Sequence, residues 1–252
     1  MGSADDALRA AAALGPYFAW ERRLIGLSAA GRGSNGDWRP LVEFSSPTVI
    51  SERVEAARVV LDGPARAVAS VTFLGIVSRL VSAPFAALVL TGVLPVPDRM
   101  WWRPGTEPLP IAYETATARQ ADAGTLVATA VTGTVGPVLR AFASRYRISP
   151  KVMWGNVASA LAGAAGVLAD SRDEHADRAG VLLEQALAES PLTGTGAVVR
   201  PDPSSDRRFL VRRSCCLYYR IAGGGLCADC VLMPDVERRR AWAFALRQSA
   251  AP

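Results

Sequence analysis

The segment RRSCCLYYRIAGGGLCADCVL, residues 212–232, contains all four cysteines of the chain. They are Cys215, Cys216, Cys227 and Cys230, and their spacing is Cys-Cys-x10-Cys-x2-Cys. Four thiolates in one short segment are a common ligand set of an iron–sulfur cluster or of a structural zinc ion. The segment therefore predicts a metal centre around which the C-terminal part of the chain folds.

The spacing of the cysteines bears on which metal they hold. A zinc ribbon typically uses two Cys-x2-Cys pairs, and only Cys227 and Cys230 form such a pair. Cys215 and Cys216 are adjacent, so in an extended segment their side chains point to opposite faces. A two-iron cluster accepts sulfurs that are spread more widely, so the spacing favours a cluster. Zinc and a redox dithiol stay as alternatives, whereas a Rieske centre needs two histidines and the chain has only His175.

Composition places the chain among globular proteins. Of its 252 residues, 50% are hydrophobic and 20% are charged, and the net charge is +5. The arginines are scattered and form no recognition-helix pattern, so no nucleic-acid partner is expected. The start of the chain lacks a basic region followed by an apolar core, and clustered cysteines without an export signal favour metal binding over disulfides. We therefore expect a cytoplasmic protein.

The pattern along the chain predicts a mainly helical α+β protein. A short hairpin is expected from residues 100–103 and 110–113, and a loop from residues 190–205. Helical patterns cover residues 4–14, 46–61, 65–81, 84–92, 124–146, 151–170, 174–188 and 237–248. We expect a helical body over residues 1–200 and a metal-binding segment over residues 201–252.

The most apolar stretch runs from Ala67 to Leu94. Arg79 interrupts it and Pro84 is expected to break it into two helices of about twelve residues, whereas a bilayer span needs roughly 20 apolar residues. We therefore predict buried core helices and no transmembrane segment.

Two motifs resemble those of the FhuF-type ferric siderophore reductases. The four cysteines match the family's Cys-Cys-x10-Cys-x2-Cys signature, and MWGNVASA, residues 153–160, is similar to its Trp-Gly-Asn-containing helix. The resemblance covers roughly the last 100 residues. It implies that Cys215, Cys216, Cys227 and Cys230 hold a [2Fe-2S] cluster.

The resemblance also implies an activity, the one-electron reduction of siderophore-bound Fe(III) in the cytoplasm. Siderophores, typically hydroxamates, bind Fe(III) far more tightly than Fe(II), so reduction releases the iron. No nucleotide-binding motif is visible, so the electron should come from a separate donor such as a ferredoxin or a reductase. The alternative is a non-enzymatic iron–sulfur protein that transfers electrons or acts as a sensor.

Four further residues are candidates for binding the substrate. Arg212, Arg213 and Arg220 flank the cysteines and could attract an anionic chelate or an acidic donor. Trp102 could line a pocket for a bulky chelate, although packing in the core is the favoured interpretation. Asn156 is a poor helix former inside a predicted helix, so we expect it to make a specific hydrogen bond, either to the cysteine segment or to substrate, and favour the structural bond.

Overall fold

The computed structural model describes residues 2–23, 37–105, 108–171 and 173–249. It is an α+β structure in which helices predominate, as predicted. The helices are α1 (Ala4–Ala12), α2 (Pro47–Arg58), α3 (Ala65–Thr91), α4 (Ala123–Leu126), α5 (Gly136–Tyr146), α6 (Pro150–Ser171), α7 (Asp173–Ala188) and α8 (Asp235–Ser249). A π-helical segment, Val127–Val135, joins α4 to α5.

Three small sheets accompany the helices. The strands are β1 (Glu21–Arg22), β2 (Arg39–Pro40), β3 (Val93–Pro97), β4 (Met100–Trp102), β5 (Ile111–Tyr113), β6 (Ala116–Gln120), β7 (Gly196–Val199) and β8 (Phe209–Arg212). One sheet has the order β1-β5-β4-β2, and β3 pairs with β6 and β7 with β8. The predicted hairpin is confirmed, because β4 and β5 are antiparallel with Trp101 opposite Ala112.

The central helix α3 corrects a sequence prediction. It runs unbroken through Pro84, where two helices were expected. A proline inside a helix removes one main-chain hydrogen bond, but Pro84 is buried here and α3 packs along α6 and α1. Because α3 is apolar on all sides, burying it compensates for the lost bond. The helix ends at Gly92, which has a left-handed φ of 71°.

Arg79 lies in the middle of α3 and is only 3% exposed. Its guanidinium donates hydrogen bonds to the carbonyls of Leu109 (2.7 Å), Ala19 (2.6 Å) and Pro16. A buried cation needs such partners. The arginine that seemed to interrupt the apolar stretch therefore ties two loops to the central helix.

Among the residues that the structure describes, three helical stretches are long and apolar enough to cross a membrane, judged by length and composition alone: Ala65–Thr91, Ala123–Tyr146 and Pro150–Ser171. In their most apolar windows, 78%, 50% and 61% of the residues are buried inside the protein. A helix that is hydrophobic all round suits a protein core as well as a bilayer. The absence of a transmembrane segment therefore stays a prediction.

The strand pair β7–β8 positions the cysteine segment. Residues 190–205 were predicted to be a loop, which is wrong for β7, because Gly196–Val199 pairs antiparallel with Phe209–Arg212. Strands β7 and β8 lie on either side of the expected domain boundary at residue 200. The division into a helical body and a metal-binding segment stays a prediction. Strand β8 lies against α6 and ends three residues before Cys215, so it delivers the cysteines next to the central helices.

Candidate metal centre

The two halves of the cysteine motif meet in the fold. Cys216 and Cys230 are 3% exposed, whereas Cys215 and Cys227 are half-buried, and all four are free thiols. The Sγ atoms of Cys216 and Cys227 lie 3.5 Å apart. The Cys227–Cys230 turn is closed by a hydrogen bond from the Cys230 N–H to the Cys227 carbonyl (3.0 Å). The spacer between the halves thus folds back on itself.

The spacer between Cys216 and Cys227 changes direction at its glycines, as its composition suggests. Gly223 has φ 70° and Gly225 has φ 158°, both in the region that glycine adopts readily. A Cβ added to Gly224 would lie 2.5 Å from the Tyr218 carbonyl oxygen. The spacer also touches the helical body, because the N–H of Ala222 donates to the Asp62 carbonyl (2.7 Å).

The sulfurs of the candidate centre accept hydrogen bonds from the main chain. Backbone N–H groups donate to sulfur at two cysteines, from Leu217 to Cys215 and from Leu232 to Cys230, both at 3.3 Å. Such bonds stabilise anionic sulfur and tune cluster potentials. Within the described ranges, no three Cys, His, Asp or Glu side chains converge on the geometry of one metal ion.

The paired sulfurs also have unequal acidity. The hydrogen bond between Cys216 and Cys227 lowers the pKa of Cys216 to about 6 and raises the pKa of Cys227, because the two sulfurs share one proton. Burial raises the pKa of Cys215. Metals bind the thiolate, so the proton that this pair shares must leave when the centre takes up iron.

Arg212 forms hydrogen bonds with both halves of the cysteine motif from the interior of the protein. It is 1% exposed, and its guanidinium donates to the Ser214 carbonyl (3.0 Å), Ser159 Oγ (3.1 Å) and Asn156 Oδ1 (2.8 Å). Its backbone N–H donates to the carbonyl of Asp229, between the last two cysteines (3.0 Å). The rigid guanidinium fork can reach acceptors on several elements at once. Arg212 is thus a positioning residue of the centre.

Asn156 continues this network into the body, as predicted. Its Nδ2 donates to the Oγ and to the carbonyl of Ser70, both at 3.0 Å, and the Ser70 Oγ donates to the Cys216 carbonyl (2.8 Å). Asn156 and Ser70 are fully buried. A chain of hydrogen bonds therefore runs from Arg212 through α6 and α3 to a cysteine.

The close approach of the cysteine segment to α6 explains why the residue between Trp154 and Asn156 is a glycine, Gly155. A Cβ at this position would lie 2.4 Å from Ser214 Oγ and 2.8 Å from Arg212 Nη2. Real Cβ atoms do not approach other atoms so closely, so α6 needs a glycine where β8 and the first cysteines pass. The Trp-Gly-Asn segment is thus the part of α6 against which the cysteine segment packs.

The four predicted substrate residues lie in different environments. Arg213 and Arg220 are exposed beside the cysteines, and their role stays a prediction. Arg212 is buried in the network above, and its guanidinium does not face solvent. Trp102 is 1% exposed and packs against Phe44, with ring centroids 4.5 Å apart. Neither Arg212 nor Trp102 presents a surface to a chelate, because both belong to the interior.

The sequence did not single out three polar residues that complete the site: Ser70, Ser159 and Asp229. Ser159 donates to Asp229 Oδ2 while accepting from Arg212, so it links α6 to the Cys227–Cys230 turn. Ser159 lies within residues 153–160, and Asp229 within the cysteine motif, so both were near a signal. Ser70 is 146 residues from Cys216 and carried none.

Comparison with known proteins agrees with this geometry. A family model described as the FhuF 2Fe-2S C-terminal domain matches residues 212–232, which include all four cysteines and Arg212. The cofactor of this centre is accordingly a [2Fe-2S] cluster, and the resemblance drawn from the sequence is confirmed. No curated protein matches the chain.

Proposed function

We propose that this chain, which carries the [2Fe-2S] C-terminal domain of the FhuF family, is a cytoplasmic ferric siderophore reductase. The observation that carries the proposal is the match of residues 212–232 to that domain. When bound, the cluster would supply the one-electron chemistry that links an external donor to chelated Fe(III). The product is Fe(II), which a hydroxamate-type chelate holds weakly and releases.

The residues of the chain would bind, orient and shield the cluster. We assign Cys215, Cys216, Cys227 and Cys230 as its ligands, which their burial and the contact between the two halves support. The N–H donors of Leu217 and Leu232 stabilise charge on sulfur. Arg212 provides a buried positive charge behind the anionic centre, because buried charge requires compensation.

The ligand assignment is tested by replacing Cys227 with serine. We expect Cys227→Ser to lose most of its iron, acid-labile sulfide and visible absorption, whereas Ala222→Ser, in the exposed spacer, should keep them. Anaerobic protein is the material, examined by metal analysis and by EPR before and after dithionite. A Cys227→Ser protein with unchanged absorption and EPR would refute the assignment.

The activity is tested by mixing dithionite-reduced protein, freed of reductant, with ferric tris-hydroxamates under anaerobic conditions. A reductase should reoxidise with one Fe(II) formed per cluster, faster than the free donor explains. A protein that holds its cluster but is not reoxidised by any ferric chelate would be an electron-transfer or sensor protein instead.

The donor should be an acidic protein electron carrier such as a ferredoxin. Residues 207–252 contain nine arginines and three acidic residues, a net charge of +6, whereas residues 1–206 have 19 basic and 20 acidic residues, a net charge of −1. Within the described part of the chain, the exposed Arg213, Arg220, Arg239 and Arg240 form no ion pair. The positive charge of the protein is therefore concentrated around the cluster.

Charge complementarity of this kind raises association rates and is screened by salt. The rate of cluster reduction by an acidic ferredoxin should fall as salt increases, and further in an Arg239→Glu/Arg240→Glu variant. Arg119→Glu on β6, also exposed, is the matched control and should leave the rate unchanged. A rate that is independent of salt and of the double substitution would exclude docking on this face.

A further inference from the structure

A cleft of about 850 Å³ lies beside the turn that carries the last two cysteines. Its walls come from α3, α6, β8, α8 and the turn over residues 14–18. Ala228 and Asp229, the two residues between Cys227 and Cys230, form part of the wall. Clefts of roughly 300–1,000 Å³ are typical of small-molecule sites. A ligand in this cleft would be separated from the cluster only by the cysteine turn itself.

The helices that line the cleft carry glycines that keep it open. Gly75 on α3 and Gly163 on α6 are exposed, and a Cβ added to either would meet nothing within 4 Å. Glycine is disfavoured inside a helix relative to alanine, so the packing of the helices does not explain these two positions. What they provide is space, next to the apolar surface of Trp242 and Phe209.

The charges that line the cleft are already paired. Arg207 forms an ion pair with Asp170, and Arg208 pairs with Asp177 (3.1 Å) and Glu184 (2.8 Å). Asp229 accepts its hydrogen bond from Ser159. Among the described lining residues, these two arginines and the carboxylates of Asp170 and Asp229 balance in sign. A polyanionic ligand would find no unpaired cation here, whereas a ligand without net charge would lose nothing on entering.

We propose that this cleft is the binding site of the ferric chelate, and that it selects chelates with an apolar periphery and no net charge over polyanionic ones. This rests on the proposed reductase function. In the cleft, chelated Fe(III) accepts one electron from the reduced cluster and becomes Fe(II), while no bond between protein and chelate forms or breaks. The external donor then restores the electron to the cluster.

The test separates binding from reduction by using gallium(III), which fills the same chelates but is not reduced under these conditions. Calorimetry on the holoprotein should detect a neutral cyclic gallium tris-hydroxamate, and at least tenfold weaker binding of a gallium tris-catecholate of charge −3. Gly163→Trp on α6 and Gly75→Trp on α3 should each weaken the hydroxamate complex at least tenfold. Val59→Trp, on an exposed position at the end of α2, is the bulky control and should bind as the unaltered protein does.

Each result decides the cleft separately from the activity. Circular dichroism and the visible spectrum of the tryptophan variants should match the unaltered protein, showing that fold and cluster are kept. Hydroxamate binding that both cleft variants retain, absent binding in the unaltered protein, or equal affinity for the catecholate would overturn the proposal. If the gallium chelate binds in the cleft but ferric chelates are not reduced, the site stands and the reductase function fails. If reduction proceeds undiminished in both cleft variants, the reductase stands and the site fails.

Discussion

The close approach of α6 to the cysteine segment can be tested with one substitution at two positions. Gly155→Ala and Gly163→Ala change the same residue type in the same helix, about two turns apart. Helix propensity favours both changes by about 1 kcal/mol. At Gly163 nothing lies within 4 Å of the new Cβ, so the gain should appear in full.

At Gly155 the close contacts make the same substitution destabilising instead of stabilising. The new methyl displaces Ser214 Oγ from the Lys151 carbonyl (2.9 Å), which costs about 1 kcal/mol, and Arg212 Nη2 from Asn156 Oδ1, a charge-assisted bond that contributes about 1.5–3 kcal/mol. After subtraction of the propensity gain, Gly155→Ala should destabilise the protein by about 1.5–3 kcal/mol.

Urea unfolding of the two variants beside the unaltered protein measures both values under identical conditions. The variants should differ by about 2.5–4 kcal/mol, with opposite signs relative to the unaltered protein. Equal stabilisation by both substitutions would show that the end of β8 and the residues before Cys215 do not pack closely against Gly155. It would refute the packing of the cysteine segment on α6.

Three further substitutions probe the interior. Arg212→Lys keeps the charge but cannot reach all the acceptors of the guanidinium, so the free energy of unfolding should fall by about 2–4 kcal/mol and the cluster absorption should shift; unchanged values of both would contradict the positioning role. Arg79→Met leaves the buried Leu109 carbonyl and the less buried Pro16 and Ala19 carbonyls without their donor, so the melting temperature should fall by several degrees, since about 1–3 kcal/mol is lost per buried unsatisfied group, while the visible spectrum stays the same. In metal-free protein, Cys227→Ala removes the hydrogen bond that lowers the pKa of Cys216, so thiolate absorbance should appear at higher pH than the present value of about 6; a titration at unchanged pH would show that the sulfur pair does not share a proton.

The regular elements followed from local patterns where local chemistry decides them. The helices predicted over residues 46–61 and 151–170 begin in the structure at Pro47 and Pro150, because proline suits the first helical turn. Pro84 was misread by the same local rule. Its cost is offset by the burial of a wholly apolar helix against α6 and α1, which are distant in sequence.

For the metal centre too, some features could be predicted from the sequence and others could not. Four cysteines at this spacing predict a metal centre and favour a cluster over zinc, because the ligands lie in one segment, whereas the [2Fe-2S] assignment comes from the resemblance to the FhuF family and the matching family model. Asn156 gave a partial signal, since a poor helix former inside a helix implies a partner, but the sequence could not say that the partners are Ser70 and Arg212.

The sequence by itself thus predicted a metal centre, the helical class and most helix starts, all of which depend on residues close together along the chain, and its resemblance to the FhuF family implied the [2Fe-2S] cofactor. Only the tertiary structure decided that Arg212 is interior rather than substrate-facing, that Gly155 makes room for it, and that a cleft opens beside the Cys227–Cys230 turn. The physical reason is that burial, close packing and paired charge are properties of surfaces brought together by folding, and no local pattern records which surfaces meet.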